Sequence, residues 1–417
     1  MLSFPSFLED LLLRYIKQTY LPIKGASGKP FNDKDFVFFS KGAKALSEAY
    51  TSQRGSLPTN YLNIPVYRSG YLLYFLPVNF LKIVHIMNEL DPAEIVGGKV
   101  RILDVGAGQG TSMLGLMAFY AGLLAEKKVK DAWLDFTLVD QSYAALKDAL
   151  NLHQAYAEEL QKKNGGFRSA CSVKNYDLRR GGLKRFLRNF KYHLIVVANV
   201  LNEIPDREAR VQFIESLLED HLEPATGRLI LIEPAAQQTS RDLQWIRDRI
   251  VTDRKIGHVY APCLHQETCP LNVVNKRDWC HFYFSWERPK FVEKVDRLIG
   301  NKKNWLACSY LVLGKKPPGL TPHPGPLPQG ERGQMRWRVI SNRMPSNGKE
   351  EVVLCGPKGR YHVELLDRDT MPSNRAFHRI GRGDLVDIDV RSEGAKYRVD
   401  GKYRVQKNDP VRIVKEN

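Results

Sequence analysis

The chain has 417 residues, of which 43% are hydrophobic and 10% aromatic, and its formal net charge is +17. This length predicts two or three domains, and the hydrophobic content excludes a disordered chain. So large a positive charge favours a polyanionic partner, RNA or DNA, because neutralising phosphates releases their counterions. The alternative is a protein with a basic surface and no such partner.

The N-terminus lacks a basic segment ahead of an apolar one, and it contains Glu9 and Asp10. It therefore resembles neither a secretion signal nor an organellar transit peptide. The most apolar stretch, Ile64 to Met87, is interrupted by two cationic residues and a proline, which predicts buried helices instead of a membrane span. We expect a cytoplasmic protein, in which six cysteines favour a metal site over disulfides.

Residues 1–98 are predicted to be mostly helical, with apolar residues at helical spacing between Leu73 and Leu90. From residue 99, short apolar strands alternate with helices. The predicted strands are Val100–Val105, Asp135–Val139, Leu194–Asn199 and Arg228–Glu233, with helices such as Ser142–Asn164 and Asp206–Glu219 between them. This alternation predicts an α/β domain with a doubly wound parallel sheet, spanning 99–316 and including a Cys-rich insert at 255–285.

Residues 317–334 are dense in Pro and Gly and predict an exposed linker or insertion. Residues 335–417 predict a small, basic, β-barrel-like domain. Its arginines and lysines, among them Arg338, Arg360 and Arg382, are interleaved with the aromatic residues Tyr361, Phe377, Tyr397 and Tyr403. That pattern suits RNA backbone contact with base stacking, and the alternative is a solvated sheet face over an aromatic core.

The sequence Asp104-Val-Gly106-Ala-Gly108-Gln-Gly110 follows a predicted strand and precedes a helix. Glycines allow a sharp turn and close approach of a ligand, and an acid such as Asp140 at the end of the next strand can bind both ribose hydroxyls. The pattern is similar to that of class I S-adenosylmethionine-dependent methyltransferases. We expect these three glycines and two acids to bind that cofactor; the alternative is a methyltransferase-like fold that has lost it.

The fourth strand leads into Asn-Val-Leu-Asn-Glu-Ile-Pro, residues 199–205. This sequence has neither the Asn/Asp-Pro-Pro-aromatic set of amino-methylating enzymes nor the nucleophilic cysteine of carbon-5 pyrimidine methylases. Asn199 and Glu203 are candidates to contact the substrate or the cofactor, or they cap the next helix. Cys171 and Cys308 lie in apolar strand-like sequence and are predicted to be buried thiols.

Three cysteines, Cys263, Cys269 and Cys280, follow the spacing C-x5-C-x10-C, which indicates a soft metal or a cluster. Tetrahedral zinc and cubane iron–sulfur sites both need a fourth ligand. The candidates are His265, His281, Cys308 and Cys355. We favour Cys355, because the turn Cys-Gly-Pro-Lys-Gly exposes its side chain.

The sequences Val259-Tyr-Ala-Pro-Cys263-Leu-His-Gln-Glu-Thr-Cys269-Pro and Asp278-Trp-Cys280-His281 resemble the Rsm22 family of small-ribosomal-subunit methyltransferase-like proteins. Its animal member is methyltransferase-like protein seventeen, and the resemblance spans most of the chain. It implies a class I methyltransferase fold, binding to the small ribosomal subunit and its rRNA, and a four-cysteine [4Fe-4S] cluster. The implied ligands are Cys263, Cys269, Cys280 and Cys355, although the Pro-rich insertion separates the last two.

Together, these features predict an S-adenosylmethionine-binding, [4Fe-4S]-containing methyltransferase-like protein that acts on the small ribosomal subunit or its rRNA. One alternative is a non-catalytic ribosome assembly factor that uses the fold as an RNA-binding platform. The other is a zinc-stapled methyltransferase of another substrate. We expect the cluster to brace the methyltransferase domain and the β domain, with no membrane or DNA partner.

Overall fold

The computed structural model describes residues 2–21, 29–51, 58, 60–90, 98–187, 190–274, 276–318, 335–390 and 398–416. The chain divides into two compact units, and each combines distant segments. The first comprises Met1–Val200 and Ser285–Leu306, and the second comprises Leu201–Phe284 and Ala307–Asn417. Most of the predicted linker at 317–334 lies outside the described residues, and the domain boundaries drawn from the sequence stay a prediction.

The first unit begins with a short strand and several helices. These are β1 (Leu2–Ser3), α1 (Ser6–Tyr20), α2 (Asp33–Thr51), α3 (Pro65–Gly70), a π-helical segment (Tyr71–Phe75) and α4 (Leu76–Met87). The last three form one continuous run, Pro65–Met87, which by length and composition alone passes as a membrane span. However, 78% of its most apolar window is buried inside the protein, as is typical of a core helix.

A parallel sheet in the order β5-β2-β3-β4 follows in the same unit. Its elements are β2 (Lys99–Val105), α5 (Thr111–Ala125), β3 (Ala132–Asp140), α6 (Tyr143–Lys163), β4 (Phe167–Asn175), α7 (Leu183–Leu187) and β5 (Leu194–Ala198). The alternation of parallel strands and helices confirms the predicted α/β class. Because parallel strands end at one edge of a sheet, the segments after β2, β3 and β5 lie at that edge.

The second unit contains a small antiparallel sheet with its helices, in which β6 and β7 both pair with β9. The elements are α8 (Arg207–Ser216), β6 (Arg228–Glu233), α9 (Gln237–Asp248), β7 (His258–Ala261), α10 (Pro270–Val274), β8 (Phe282–Glu287) and β9 (Trp305–Gly314). Residues 285–306, which include the end of β8, the helix Lys290–Ile299 and the start of β9, belong to the first unit. The cysteine-rich segment begins directly after β7, and α9 precedes β7 in the chain.

A second sheet of this unit has seven strands in the order β15-β13-β12-β10-β14-β16, with β11 paired to β12. They are β10 (Arg336–Val339), β11 (Met344–Ser346), β12 (Lys349–Gly356), β13 (Gly359–Leu366), β14 (Leu385–Ile388), β15 (Arg398–Arg404) and β16 (Val411–Lys415). Among the described strands of this sheet, only β13 and β15 pair in parallel. Within the described ranges the first and last strands of this order do not pair, so a closed barrel stays a prediction.

Two of the aromatic residues predicted to stack on RNA bases instead form the core of this sheet. Tyr361 and Phe377 are fully buried, and the Trp337 ring packs edge-on against Tyr361 with centroids 5.3 Å apart. Arg338 and Arg360 are each only 3% exposed, which also removes them from an RNA-facing surface. The sequence interpretation was wrong for these four residues, because alternation along a strand does not reveal which face is covered.

Helices α2 and α3 approach each other closely because each contributes a glycine to the contact. A Cβ atom on Gly42 would lie 2.0 Å from the carbonyl oxygen of Val66. A Cβ atom on Gly70 would lie 2.4 Å from the backbone nitrogen of Ala43. Both obstructing atoms belong to the backbone and cannot rotate away, so any larger side chain forces the helices apart.

We expect Gly70→Ala to lower the free energy of unfolding by about 1–3 kcal/mol, the usual cost of overpacking a core. The matched control is Gly122→Ala in α5, where no atom lies within 4 Å of the added Cβ. That change should raise stability by about 0.5–1 kcal/mol, because alanine favours a helix over glycine. Urea denaturation of both variants measures the difference, and equal stabilities would contradict the close-packing argument.

Candidate cofactor and metal sites

The glycine-rich loop turns sharply between β2 and α5. Gly106, Gly108 and Gly110 have φ angles of 72°, 52° and 78°, a left-handed region that favours glycine. The amides of Gly106 and Ala107 donate to the carbonyl oxygen of Val139 at 2.8 and 3.1 Å. These bonds fix the loop against the end of β3. The N-terminus of α5 follows the loop directly.

Of the three glycines, only Gly108 has room for a Cβ atom. A Cβ atom on Gly106 would lie 2.2 Å from Cγ2 of Val200, and one on Gly110 would lie 2.7 Å from Cε of Met113. At Gly108 the nearest atom is Cδ1 of Leu62, at 3.5 Å. A ligand can therefore approach the backbone closely at Gly108, which is the use that the glycine pattern predicts.

Two carboxylates border the loop. Asp104 is 1% exposed, and among the residues that the structure describes its Oδ2 atom has no hydrogen-bond partner. Burial, followed by the charge of Asp140, raises the pKa of Asp104 to about 7. Asp140 accepts the amides of Gly108 at 2.9 Å and Ser142 at 2.7 Å, and burial raises its pKa as well.

These two carboxylates and the accessible backbone at Gly108 fit S-adenosylmethionine. A buried carboxylate oxygen without a partner, beside a second carboxylate, is unfavourable unless a cation or a donor reaches it. A ligand with a positive charge and two ribose hydroxyls supplies both. The open backbone at Gly108 provides room for it next to Asp104 and Asp140.

Sequence reasoning missed the polar residues that the π-helical segment brings to this site. The Tyr71 hydroxyl accepts a hydrogen bond from Nδ2 of Asn79 at 3.4 Å. Burial raises the pKa of Tyr71, a hydrogen bond with Thr111 lowers it, and the charges of Asp104 and Asp140 raise it again. The phenol therefore lies near the two acids. The sequence gives no signal of this, because a π turn breaks the regular helical register.

A second missed residue, Asp148 of α6, ties the glycine-rich loop to the N-terminal helices. Its carboxylate accepts hydrogen bonds from Nε2 of Gln109 at 2.8 Å, Nε of Arg68 at 3.2 Å and the Tyr15 hydroxyl at 2.7 Å. The Tyr20 hydroxyl donates to it too. Because Gln109 lies within the loop, this buried network fixes the loop conformation from outside the sheet.

The candidates on the segment after β5 have different surroundings. Asn199 has a φ angle of 60°, which is rare outside glycine, and it lies at the sheet edge that also carries the loop. Glu203 ends a short 3-10 turn, Leu201–Glu203. The cap of the next helix is Asp206, whose side chain accepts the amide of Ala209 at 2.7 Å. Asp206 therefore caps this helix, and substrate contact by Asn199 or Glu203 stays a prediction.

Four of the six cysteines line one cavity of about 40 Å³ in the second unit. They are Cys263, Cys269, Cys280 and Cys355. A space of this size holds several water-sized spheres and is not filled by side chains. His265 also lines it, with Nε2 at 3.5 Å from Sγ of Cys355. All four thiols are free, so the cavity contains no disulfide.

The two remaining cysteines lie elsewhere, and of the two only Cys308 is buried as the sequence predicts. Cys308 is fully buried in β9. Cys171 is half-buried on β4, with its Sγ atom 3.7 Å from Sδ of Met113. Neither lines the cavity, which leaves Cys355 as the fourth thiol there.

The buried thiols repel one another's ionised forms. Burial, and then the charge of Cys263, raise the pKa of Cys269 to about 11. The same causes raise the pKa of Cys280 and Cys355 further. Four such thiolates need a positively charged centre, which is the chemistry of a metal–thiolate site. Within the described part of the chain, however, no three Cys, His, Asp or Glu residues form a group that could hold a single ion.

One face of α9 supports the cysteine segment. Nε2 of Gln244 lies 3.4 Å from Sγ of Cys269, and Oε1 of Gln244 accepts the amide of Cys280 at 3.3 Å. Four residues later, Oδ1 of Asp248 accepts the amide of Cys269 at 2.8 Å. Residues four apart share a helix face, so a single helix orients two of the four cysteines.

The same face continues at both ends of α9. The hydroxyl groups of Ser240 and Ser309 lie 2.6 Å apart, and Ser309 donates to the carbonyl oxygen of Cys280 at 2.7 Å. Arg247 donates to Asp248 at 2.7 Å and to the carbonyl oxygen of His265 at 2.8 Å. Every one of these bonds anchors the chain next to a cavity-lining residue. The polar spacing of Ser240, Gln244 and Asp248 is the one sequence signal that points to them.

Residues 66–386 match the family model described as mitochondrial small ribosomal subunit Rsm22. The chain belongs to the Rsm22 family. This confirms the resemblance carried by the cysteine segment and the glycine-rich loop. No curated protein matches the sequence of this Rsm22 family member.

Solved methyltransferase structures resemble this Rsm22 family member only distantly. A candidate class I S-adenosylmethionine-dependent methyltransferase from Listeria monocytogenes has 14% identity and a TM-score of 0.38, over 76% of this chain and 91% of that one. An O-methyltransferase family protein from Burkholderia thailandensis has 13% identity and a TM-score of 0.34, over 74% and 83%. A glycopeptide N-methyltransferase in complex with S-adenosylmethionine has 15% identity and a TM-score of 0.26, over 38% and 55%.

The chain thus spans about half the length of the glycopeptide enzyme. TM-scores this low do not by themselves establish a fold. The predicted class I methyltransferase fold is supported by the α/β sheet and by the glycine-rich loop at the end of β2.

The raised pKa of Asp104 predicts a pH-dependent stability in the absence of ligand. The folded protein holds this proton up to about pH 7, whereas the unfolded chain releases it near pH 4. The contribution of this bound proton to the free energy of unfolding is therefore complete below about pH 4 and is lost as the pH rises through 7. The Asp104→Asn variant lacks this titration. We therefore expect its free energy of unfolding, minus that of the native chain, to rise by about 2–4 kcal/mol between pH 5 and 8. Urea denaturation across that range measures it, and parallel pH profiles would contradict it.

Proposed function

We propose that the chain is an S-adenosylmethionine-binding, [4Fe-4S]-containing methyltransferase-like protein that acts on the small ribosomal subunit or its rRNA. The observation that carries this proposal is a glycine-rich loop beside the buried Asp104, whose Oδ2 atom lacks a partner among the described residues, in a member of the Rsm22 family. The family description names the small ribosomal subunit, and the net charge of +17 suits a ribosomal RNA partner. We also propose a cytoplasmic, ribosome-associated location in a bacterium.

The proposed cofactor site uses Asp104, Gly106, Gly108, Gly110 and Asp140. Gly108 admits the ligand to the backbone, and Asp104 supplies the unpartnered oxygen for its positive charge. Asp140 accepts two amides, yet each carboxylate oxygen keeps a second lone pair for a ribose hydroxyl. Gly106 and Gly110 maintain the turn, since both are packed too tightly for a side chain.

S-adenosylmethionine supplies the methyl group when it is bound. Because the leaving group is a neutral sulfide that needs no acid, the contribution of the protein is to position the nucleophile and exclude water. Asn199 and Glu203 are the residues after β5 that we propose to orient the nucleophile. The Tyr71 hydroxyl lies near Asp104 and Asp140, so it is suited to border the cofactor site.

The proposed cluster ligands are Cys263, Cys269, Cys280 and Cys355, which share one cavity. We favour an iron–sulfur cluster over a single zinc ion, because the resemblance of the cysteine segment to the Rsm22 family implies a four-cysteine cluster. In this proposal the cluster joins segment 263–280 to β12, both within the second unit, and its role is structural.

The second candidate function is a non-catalytic assembly factor. It is favoured by the sequence after β5, which lacks the motif that amino-methylating enzymes use to hold a target nitrogen. Such a protein would use the same fold and the same cofactor as an RNA-binding platform. A zinc-stapled methyltransferase of another substrate is the remaining alternative.

We expect Gly108→Arg to abolish S-adenosylmethionine binding, because the side chain would extend into the open space that the ligand needs. Isothermal titration of the native chain and the variant measures the loss, which should exceed tenfold in Kd, or about 1.4 kcal/mol. A thermal melt serves as the control for folding. Equal affinities in the two proteins would exclude the loop as the cofactor site.

The same pair of proteins separates the two candidate functions. Each is sedimented with immature small subunits, and transfer of a tritiated methyl group to the rRNA is followed. Methylation by the native chain that is lost in Gly108→Arg indicates an enzyme. Equal co-sedimentation of both proteins without methylation indicates an assembly factor, and no co-sedimentation of the native chain contradicts the ribosomal proposal.

We expect Cys355→Ser to lose the metal centre, whereas Cys171→Ser, a half-buried cysteine outside the cavity, should retain it. Elemental analysis of anaerobically purified protein should give about four iron atoms per native chain, with visible iron–sulfur absorption. Zinc in place of iron would instead indicate the zinc-stapled alternative. If Cys355→Ser kept its iron and its full RNA affinity, the proposed ligand set and its structural role would be wrong.

A further inference from the structure

The segment that contains Cys280 also carries a row of half-buried rings. Trp279, His281 and Tyr283 are half-buried, whereas Phe282 and Phe284 between and after them are each 1% exposed. Successive side chains of an extended segment point to opposite sides. The three rings therefore lie on the side of this segment that faces away from the core, and we refer to them as the ring row.

The ring row is ordered by its own contacts. The Trp279 and His281 rings stack with centroids 5.2 Å apart and planes 25° apart, and the His281 and Tyr283 centroids are 5.9 Å apart. Nε1 of Trp279 donates to the carbonyl oxygen of Ala235 at 2.9 Å, which fixes the indole. Because these contacts already restrict the three side chains, a ligand that stacks on them costs little further side-chain entropy, and this favours binding.

Cationic and amide groups lie at the Tyr283 end of the row. The Arg382 guanidinium is 5.7 Å from the centre of the Tyr283 ring, and its Nη1 atom is 3.5 Å from the carbonyl oxygen of His281. Asn342 bonds to the Tyr283 hydroxyl and accepts from Nε of Arg382 at 3.4 Å. The next residue, Arg343, is exposed. Rings beside arginines match the two parts of a nucleotide, its base and its phosphate.

We propose that the ring row is a stacking platform for unpaired bases of RNA, with Arg382 beside the Tyr283 ring and the exposed Arg343, which also pairs with Glu350, as the cations that contact the phosphates. Every base has a flat π face, so aromatic side chains bind single strands with little sequence preference, and bases within a duplex are not available to them. We favour RNA over a protein partner because the net charge of +17 suits a polyanion. This inference rests on the proposed RNA-binding function and assigns it to a specific surface.

The platform is connected to the proposed metal site through the chain itself. Cys280 lies between Trp279 and His281, and its amide and carbonyl groups are held by Gln244 and Ser309. The bonds that orient the thiol therefore also set the position of the rings. A test of the ring row must for this reason follow the metal content of each variant.

The test uses the full chain with a fluorescently labelled single-stranded oligouridine and an RNA duplex of equal length. We expect His281→Ala to weaken single-strand binding about tenfold, because one base stacked on an aromatic ring contributes about 1–3 kcal/mol. Duplex binding should not change. His281→Phe, which keeps a ring, should restore single-strand affinity while the metal content stays constant in both variants.

Salt dependence and a second ring provide the controls. His281→Ala should leave the slope of affinity against salt unchanged, whereas Arg343→Ala should reduce it by about 0.7, the value for one phosphate contact on a single strand. Trp245→Ala is the matched control, because this half-buried ring of the second unit stacks with Arg207 and Arg249, away from the row. It should bind both RNAs as the native chain does.

If His281→Ala and Trp279→Ala both bound the single strand with native affinity, the platform proposal would be overturned, while the proposed ribosomal function would stand. Co-sedimentation of the native chain with small subunits, without binding to free single strands, would also overturn it and would indicate a protein contact. Failure of the native chain in both assays contradicts the proposed function itself. Loss of single-strand binding in both alanine variants, with rescue by His281→Phe, supports the platform.

Discussion

The first unit depends on one buried carboxylate, that of Asp148, whose hydrogen-bond donors come from three separate parts of the chain. Tyr15 and Tyr20 belong to α1, Arg68 to α3 and Gln109 to the glycine-rich loop. Removing any single donor leaves the charge of the buried Asp148 carboxylate poorly compensated, which costs more free energy than the lost hydrogen bond alone. The shape of the loop is therefore a property of the whole unit, and it is not encoded by the glycines alone.

Asp104 and the thiols of the cysteine cavity show the opposite situation. Asp104 is as deeply buried as Asp148, but its Oδ2 atom lacks a partner among the described residues, and Asp140 lies nearby. Burial and the charges of neighbouring thiols likewise raise the pKa values of Cys269, Cys280 and Cys355. In both places the fold buries acidic groups whose ionised form an external positive charge can stabilise. These two places are where we propose the sulfonium cofactor and the metal cluster.

The sequence was sufficient for features set by local constraints and insufficient for those set by tertiary contacts. Glycines with left-handed backbone and cysteines at close spacing leave a local pattern, so the loop and the thiol set were found directly. Gln244 and Asp148 act through side chains that meet distant residues, and no spacing rule identifies such partners. Tyr361 and Arg360 were misassigned for the same reason, since only the folded sheet shows which face is covered.

The π-helical segment Tyr71–Phe75 gives this chain a sensitivity to length as well as to residue type. A π turn contains one residue more than an α turn, and each residue rotates a helix by about 100°. Deleting any one residue of the segment would restore a regular helix, but α4 would then present another face to its neighbours. Substitutions that keep the turn are compatible with the fold, whereas a single-residue deletion would turn Asn79 away from Tyr71. Related chains with an intact site should therefore vary in composition here and keep the same number of residues.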